Sequence, residues 1–167
     1  MVVERNILVD LARQTLILRQ GDGVLRRYAV STARNGPGER MGSECTPRGR
    51  HRIRIKIGAG LPENTVFRRR RPTGEIYSPE LALRHPGRDW ILTRILWLTG
   101  CEPRRNRGGE RDTLRRYIYI HGSPDDTPMG VPGSHGCIRM RNRDLLELFA
   151  QVEPGSPVEI VADGQEP

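Results

Sequence analysis

The sequence predicts a mainly β fold with one or two short helices. Three observations carry this: short runs rich in Ile, Leu and Val recur between turn residues, one basic segment alternates with isoleucines, and only one stretch shows a helical apolar stripe. With 167 residues, 35% of them hydrophobic, and 19 Gly and 13 Pro spread along the length, the chain can bury a core and is neither disordered nor collagen-like. No linker or internal repeat divides it, so a single domain over 1–167 is expected.

The elements follow in order. Residues 6–10 and 14–19 read as strands, Gly21-Asp22-Gly23 as a turn, and 24–31 as the returning strand of a hairpin. Within 51–57, Ile53, Ile55 and Ile57 alternate with Arg52, Arg54 and Lys56, which predicts a half-buried strand with a basic outer face. Residues 58–87 are rich in Pro, Gly and Arg without periodicity and are read as a functional loop or flap. Residues 89–99 read as a buried strand and 101–112 as a polar loop. In 116–121, Tyr117, Tyr119 and His121 share one face of an alternating strand, Ile118 and Ile120 share the other, and His121 stands at its end. Asn142 reads as the N-cap of a helix carrying Leu145, Leu148, Phe149 and Val152 on one face, stopped by Pro154-Gly155. A last strand covers 157–161.

The charge is unusual in kind. Lys and Arg number 28 against 20 Asp and Glu, a net +8, and Lys56 is the only lysine. Residues 40–120 hold 19 basic and 8 acidic side chains, whereas the segment from His121 onward holds 3 and 8. Arg forks fit carboxylates and phosphates, while a coding bias for Arg explains the scatter equally well; only Arg68-Arg69-Arg70-Arg71 forms a run. No window nears the roughly 18 to 20 apolar residues of a membrane span, and the longest candidate, 90–100, is broken by Arg94, so no membrane partner is expected. The first six residues carry no export pattern, which places the chain in the cytoplasm, or in the periplasm if the sequence is trimmed from a longer one. Cys45, Cys101 and Cys137 form no CxxC pair and stand at no zinc spacing from a His, so no metal is expected.

The chemistry concentrates in His121-Gly122 and Ser134-His135-Gly136-Cys137-Ile138-Arg139. A thiol becomes a strong nucleophile as thiolate, which a neighbouring imidazole can generate. Flanking glycines let backbone N–H groups approach a tetrahedral oxyanion, and an Arg two residues on can face the same way and hold a carboxylate. Each residue alone also has a structural explanation: a turn His, a core Cys, a solvated Arg. It is the joint pattern that points to nucleophilic acyl transfer.

That pattern resembles the L,D-transpeptidase catalytic domain, the YkuD family, whose signature is a His followed after some fifteen residues by Ser or Thr, His-Gly-Cys, an apolar residue and Arg or Asn. His121, Ser134, His135, Gly136, Cys137, Ile138 and Arg139 fill every slot, and Asn142 with its Leu-rich helix is also similar. Upstream, Gln14 with Leu16 resembles the family's opening hairpin, 28–32 its second strand, and Thr46-Pro47-Arg48-Gly49 its Thr-Pro-x-Gly turn, with His51 where an aromatic is usual. The resemblance runs from about 7 to 161; the region 58–87 does not align.

The resemblance implies a small β-sandwich-like or barrel-like domain. It further implies that Cys137 attacks the meso-diaminopimelate carbonyl of a peptidoglycan stem tetrapeptide and expels the terminal D-Ala, leaving a thioester. His121 would be the base, oriented by the Gly122 carbonyl, with His135 lining the site. Gly122, Ser134, Gly136 and Arg139 would form the substrate and oxyanion side, the N–H groups of Gly136 and Cys137 as oxyanion donors and Arg139 as a carboxylate clamp. No cofactor is implied. Attack by water would make the chain an L,D-carboxypeptidase, and attack by an amine an L,D-transpeptidase forming 3-3 crosslinks or exchanging D-amino acids. Without an export pattern or wall-binding module in the sequence, a cytoplasmic L,D-carboxypeptidase acting on soluble muropeptides during recycling is the expectation. The rival from another class, a nucleic-acid-binding module, lacks a basic helix, since the one clear helix carries Asp144 and Glu147; no nucleic-acid partner is expected. The central positive charge instead predicts a salt-dependent KM for an anionic peptide.

Overall fold

The computed structural model describes residues 4–163. Its strands are β1 (Arg5–Asp10), β2 (Thr15–Gln20), β3 (Gly23–Ser31), β4 (Gly49–Ile57), β5 (Thr65–Arg68), β6 (Arg71–Ile76), β7 (Ile91–Gly100), β8 (Tyr119–Ser123), β9 (Ile138–Arg141) and β10 (Pro157–Val161). Two α-helices, α1 (Pro79–Arg84) and α2 (Asn142–Gln151), complete it with a turn of 3-10 helix at Gly109–Arg111. The strands lie in the order β4-β10-β1-β2-β3-β9-β8-β7-β5-β6, and β4 also pairs with β7. That extra pairing closes β4, β10, β1, β2, β3, β9, β8 and β7 into a ring, so the fold is the mainly β, barrel-like one expected, and closure removes the exposed edges of these strands.

Every strand of the ring contributes to one core. Ile7 and Val9 of β1, Leu16 and Leu18 of β2, Ile53 of β4, Leu96 and Leu98 of β7, Ile120 of β8, Ile138 and Met140 of β9, and Val158 and Ile160 of β10 pack with Leu145, Leu148 and Phe149 of α2. The helical residues stand at i, i+3 and i+4, the spacing that places them on one face. The only lysine completes the packing: Lys56 Nζ donates to the Phe149 and Val152 carbonyls at 2.7 and 2.8 Å, capping the C-terminus of α2 with a cation.

Several expectations need correction. A register shift between Ile53 and Ile55 breaks the alternation of β4, leaving Ile53 buried and Ile55 exposed. The stretch 58–87 is no irregular loop but a hairpin, β5–β6, followed by α1, whose first turn Ser78 caps by accepting the Leu81 N–H at 3.1 Å. β5 has only four residues and β6 is interrupted by Pro72 and Gly74, so neither shows the alternation that marks a strand, which hid them. The hairpin pairs with β7 only at Ile91 and Leu92, beyond the reach of β4, which pairs from Ile95 onward. Finally, Asn142 is the first residue of α2 rather than its cap; Arg141 holds the cap position with no side-chain bond, because the Asn142 amide is engaged elsewhere.

Candidate active site

β8 and β9 run parallel, with Ile120 beside Ile138, His121 beside Arg139 and Gly122 beside Met140. Because Ile120, Ile138 and Met140 face the core, strand alternation turns Tyr119, His121 and Arg139 to the other face, and Cys137, two residues before Arg139, with them. The expected strand over 116–121 is shifted: β8 begins at Tyr119, His121 is its third residue rather than its end, and Tyr117 sits in a turn with φ of 57°. The turn has a use. It lets the Tyr117 carbonyl accept from Cys137 Sγ at 3.4 Å while the Tyr119 N–H donates to the same sulfur at 3.3 Å.

His121 is buried, and its Nδ1 lies 2.7 Å from the Gly122 carbonyl. A carbonyl only accepts, so Nδ1 carries the proton and Nε2 keeps a lone pair, the tautomer a general base needs. Burial pulls the His121 pKa down, opposed by its bond to Gly122 and by Asp89 and aided by Arg139. Burial likewise pushes the Cys137 thiol up to about 12, opposed by the Tyr119 N–H; Asp89 raises it further, while Arg139 and Arg116 lower it. Both groups therefore rest in their neutral forms. Gly122 cannot carry a side chain: a Cβ there would overlap Asn142 Oδ1 and come within 2.6 Å of the Leu92 carbonyl.

The turn bearing the thiol is held from three sides. Ser134 Oγ donates to the Cys137 carbonyl at 2.5 Å and accepts the Gly136 N–H at 3.2 Å. Thr46 Oγ1, from the Thr-Pro turn, donates to the Gly136 carbonyl at 2.9 Å and accepts the Ala33 N–H at 3.0 Å. The Gly133 and Ser134 N–H groups both reach the Thr32 carbonyl, and Thr32 is tied by its N–H and Oγ1 to the buried side chain of Gln14. Gly136 has φ of 130°, and a Cβ would meet Ile118 Cδ1 at 3.1 Å and the Cys45 carbonyl at 3.2 Å. Only glycine fits there.

The signature residues differ in how they are engaged. The Gly136 N–H already serves Ser134, whereas none of the turn's hydrogen bonds uses the N–H of Cys137. Arg139 is ion-paired with Asp89 at 3.5 Å, and His135 is exposed and makes no hydrogen bond among the described residues. Three participants were missed in the sequence. Asp89 acts on both His121 and Cys137. Arg116, read as the start of a strand, donates to Gly38 O, Ser43 Oγ and Cys45 O and brings its charge to Cys137. Thr93, fully buried at φ of 76°, bonds the Asn64 N–H and Asn142 Oδ1, and Asn142 in turn bonds Asn64 Oδ1. A β-branched residue at positive φ is rare strain held by its surroundings, and no sequence pattern announces it. Among the described residues no group of three or more His, Cys, Asp or Glu could hold a metal ion.

The chain matches the sequence model of the YkuD family, the L,D-transpeptidase catalytic domain, over residues 4–160. It belongs to that family. It is 28% identical over 116 residues to the protein of Bacillus subtilis (strain 168) bearing the name L,D-transpeptidase YkuD, which covers 66% of this chain and 65% of that protein. A shorter segment of 45 residues is 45% identical to YcfS of Escherichia coli (strain K12), which also carries the L,D-transpeptidase name, covering 26% of this chain and only 14% of that protein. Among solved structures, an L,D-transpeptidase from Mycobacterium smegmatis superposes with a TM-score of 0.60 at 19% identity over 95% of this chain and 59% of that one. L,D-transpeptidase 3 from Mycobacterium tuberculosis, in complex with a faropenem-derived adduct, does so with 0.56 at 14% identity over 94% and 60%. At these identities the structural likeness speaks for the fold, and the chain spans less than two thirds of each of these relatives.

Proposed function

We propose that this YkuD-family chain is a cysteine-dependent L,D-carboxypeptidase that removes D-Ala from the meso-diaminopimelate of a stem tetrapeptide. The observation that carries the chemistry is the shared face of Cys137 and His121, with the imidazole held by Gly122 O so that Nε2 keeps its lone pair. As Sγ forms its bond to the carbonyl carbon, the thiol proton passes to His121 Nε2, and the Cys137 N–H faces the oxyanion. Collapse breaks the C–N bond, and the proton on Nε2 goes to the departing D-Ala amine. Water then attacks the thioester, gives its proton to Nε2, and the displaced sulfur takes it back. Because both resting groups are neutral, the charge separation develops only with substrate bound.

Water is assigned as acceptor on electrostatic grounds. Arg116 and Arg139 act on the thiol and Arg70 on the Tyr119 hydroxyl beside it, and the carboxylate that acts on the thiol, Asp89, is paired with Arg139. Such a rim attracts a peptide rich in carboxylates and repels an ammonium acceptor. The setting is proposed to be cytoplasmic, with soluble muropeptides as partners, and fractionation of cells carrying the tagged full-length protein tests it.

The activity is tested by incubating the protein with a disaccharide tetrapeptide, with and without a D-amino acid, and weighing the products. Loss of D-Ala alone is the expected result, and an exchanged peptide would make the chain a transpeptidase instead. Turnover by Cys137→Ala would sink the assignment. A carbapenem adduct mapped to Cys137 is the expected independent sign of an accessible nucleophile.

A further inference from the structure

The run Arg68 to Arg71 forms the tip of the β5–β6 hairpin. Arg68 pairs with Arg71, and Arg69 and Arg70 make the turn with φ of 51° and 66°. Two positive φ values suit the twist of a tight hairpin but are normally supplied by Asn-Gly. Arg68, Arg69 and Arg71 are exposed, whereas Arg70 folds back over the site. Its guanidinium carbon lies 4.4 Å from the centre of the Tyr117 ring and 5.1 Å from that of Trp97, and Nη1 donates to Tyr119 Oη at 3.1 Å. Tyr117 and Tyr119 are the two residues whose backbone holds Cys137 Sγ. The Tyr119 hydroxyl lies within electrostatic reach of both Arg70 and Cys137.

Three cations stand at the site, Arg139 and Arg116 acting on the thiol and Arg70 on the Tyr119 hydroxyl, and they differ in how they are engaged. Arg139 carries Asp89, and Arg116 bonds three acceptors of the 38–45 segment. Arg70 gives one N–H to a neutral hydroxyl and keeps the rest of its five donors. Stacked on two rings, it is already oriented, which lowers the entropy lost when it binds an anion.

We propose that Arg70 binds the free carboxylate of the leaving D-amino acid, so that the site cuts at chain ends and not at interior bonds. This rests on the acyl-transfer reading of Cys137. An attack distance of about 3 Å, a peptide unit of about 3.8 Å and a hydrogen bond of about 2.8 Å put such a binder roughly 10 Å or less from Sγ. Arg70 packs on Tyr117 and Tyr119, the two residues whose backbone holds the sulfur, so a chain end leaving Cys137 on that side meets it. Arg139, the clamp expected from the sequence, would first have to leave Asp89.

The test compares two tetrapeptides that differ only at the terminus, D-Ala as the free acid and as D-alaninamide. Wild type is expected to favour the acid in kcat/KM, chiefly through KM. Arg70→Ala should lower kcat/KM for the acid by about 10- to 100-fold and for the amide by far less. Arg70→Lys should retain part of the preference, and Arg69→Ala all of it. Should Arg70→Ala lose its fold by circular dichroism, Arg70→Gln provides the same comparison. Equal losses on both substrates would mean that Arg70 only holds the hairpin, and an unchanged preference in the Arg70 variants would equally overturn the proposal. A wild type that releases neither leaving group would overturn the acyl-transfer reading itself, and this inference with it.

Discussion

Lowering the pH from 7.5 to 4 should cost the wild-type protein about 3 kcal/mol through His51 alone. The ring is buried, with Nδ1 at 3.0 Å from the Gly49 carbonyl and Nε2 at 2.9 Å from Thr113 Oγ1. Burial pulls its pKa from 6.5 to about 4, against the bond to Gly49 and the carboxylates of Glu102 and Glu39, and with the help of Arg105. An unfolded His binds its proton near pH 6.5, so below that pH the unfolded chain takes up a proton that the native state refuses. The stability from keeping His51 neutral is thus complete above about pH 6.5 and is lost as the pH falls towards 4, at about 1.4 kcal/mol per unit. Glu102, held low by the Arg50 N–H, and Glu39, which burial raises but Arg48 holds low, stay ionised through most of that window. The assay is urea unfolding of wild type and His51→Phe, followed by tryptophan fluorescence at pH 7.5, 6.5, 5.5 and 4. Wild type should be the more stable at pH 7.5, where the variant lacks both hydrogen bonds. That advantage should shrink by about 3 kcal/mol towards pH 4, a change of about 1.5 M in the gap between midpoints for a slope of about 2 kcal/mol/M. His121, also kept neutral by burial, titrates in both proteins and cancels. Parallel pH profiles would refute the reasoning.

Three further outcomes are expected. Gly122→Ala, forced against Asn142 Oδ1 and the Leu92 carbonyl, should lose about 2 kcal/mol or more in thermal melts and most of its turnover, since His121 takes its orientation from Gly122; a variant that melts and turns over like wild type would contradict the close approach. Lys56→Met removes a cation and two hydrogen bonds from the end of α2 and should lower Tm by about 5 °C with kcat unchanged at 25 °C. Iodoacetamide labelling of Cys137, followed by peptide mass mapping of the free enzyme, should rise about tenfold per pH unit from pH 8 to 10, because burial holds the thiol near 12; a plateau below pH 9 would show a thiolate already formed.

Local pattern carried much of the fold. The hairpin β2–β3, the buried β7, the last strand β10 and the apolar face of α2 follow from alternation, turn residues and i, i+3, i+4 spacing, all of which depend on near neighbours in the chain. What escaped depends on tertiary context. The bulge after Ile53 and the late start of β8 shift faces by a single residue, and the β5–β6 hairpin joins a four-residue β5 to a β6 whose Pro72 and Gly74 propensity assigns to loops. In the site, the signature residues were visible because their spacing is local. Asp89, Arg116, Thr93 and Arg70 reach it from separate segments, and no spacing within any one of them betrays this. Asn142 shows the same limit: an Asn before a helical stripe reads as a cap, and only the fold reveals that its amide bonds Thr93 and Asn64 instead.

The position of β10 bears on how the molecule is made. β10 lies between β1 and β4, parallel to the one and antiparallel to the other, with Val158 against both Ile7 and His51. A ribosome delivers β1 first and β10 some 150 residues later. Until β10 emerges, β1 and β4 have no partner on their facing edges, and the ring that buries Ile7, Val9 and Ile53 stays open. The nascent chain must therefore carry sticky strand edges through the synthesis of everything between β1 and β10. Chains released before residue 157 should be chaperone clients or aggregates, however intact their Cys137 turn.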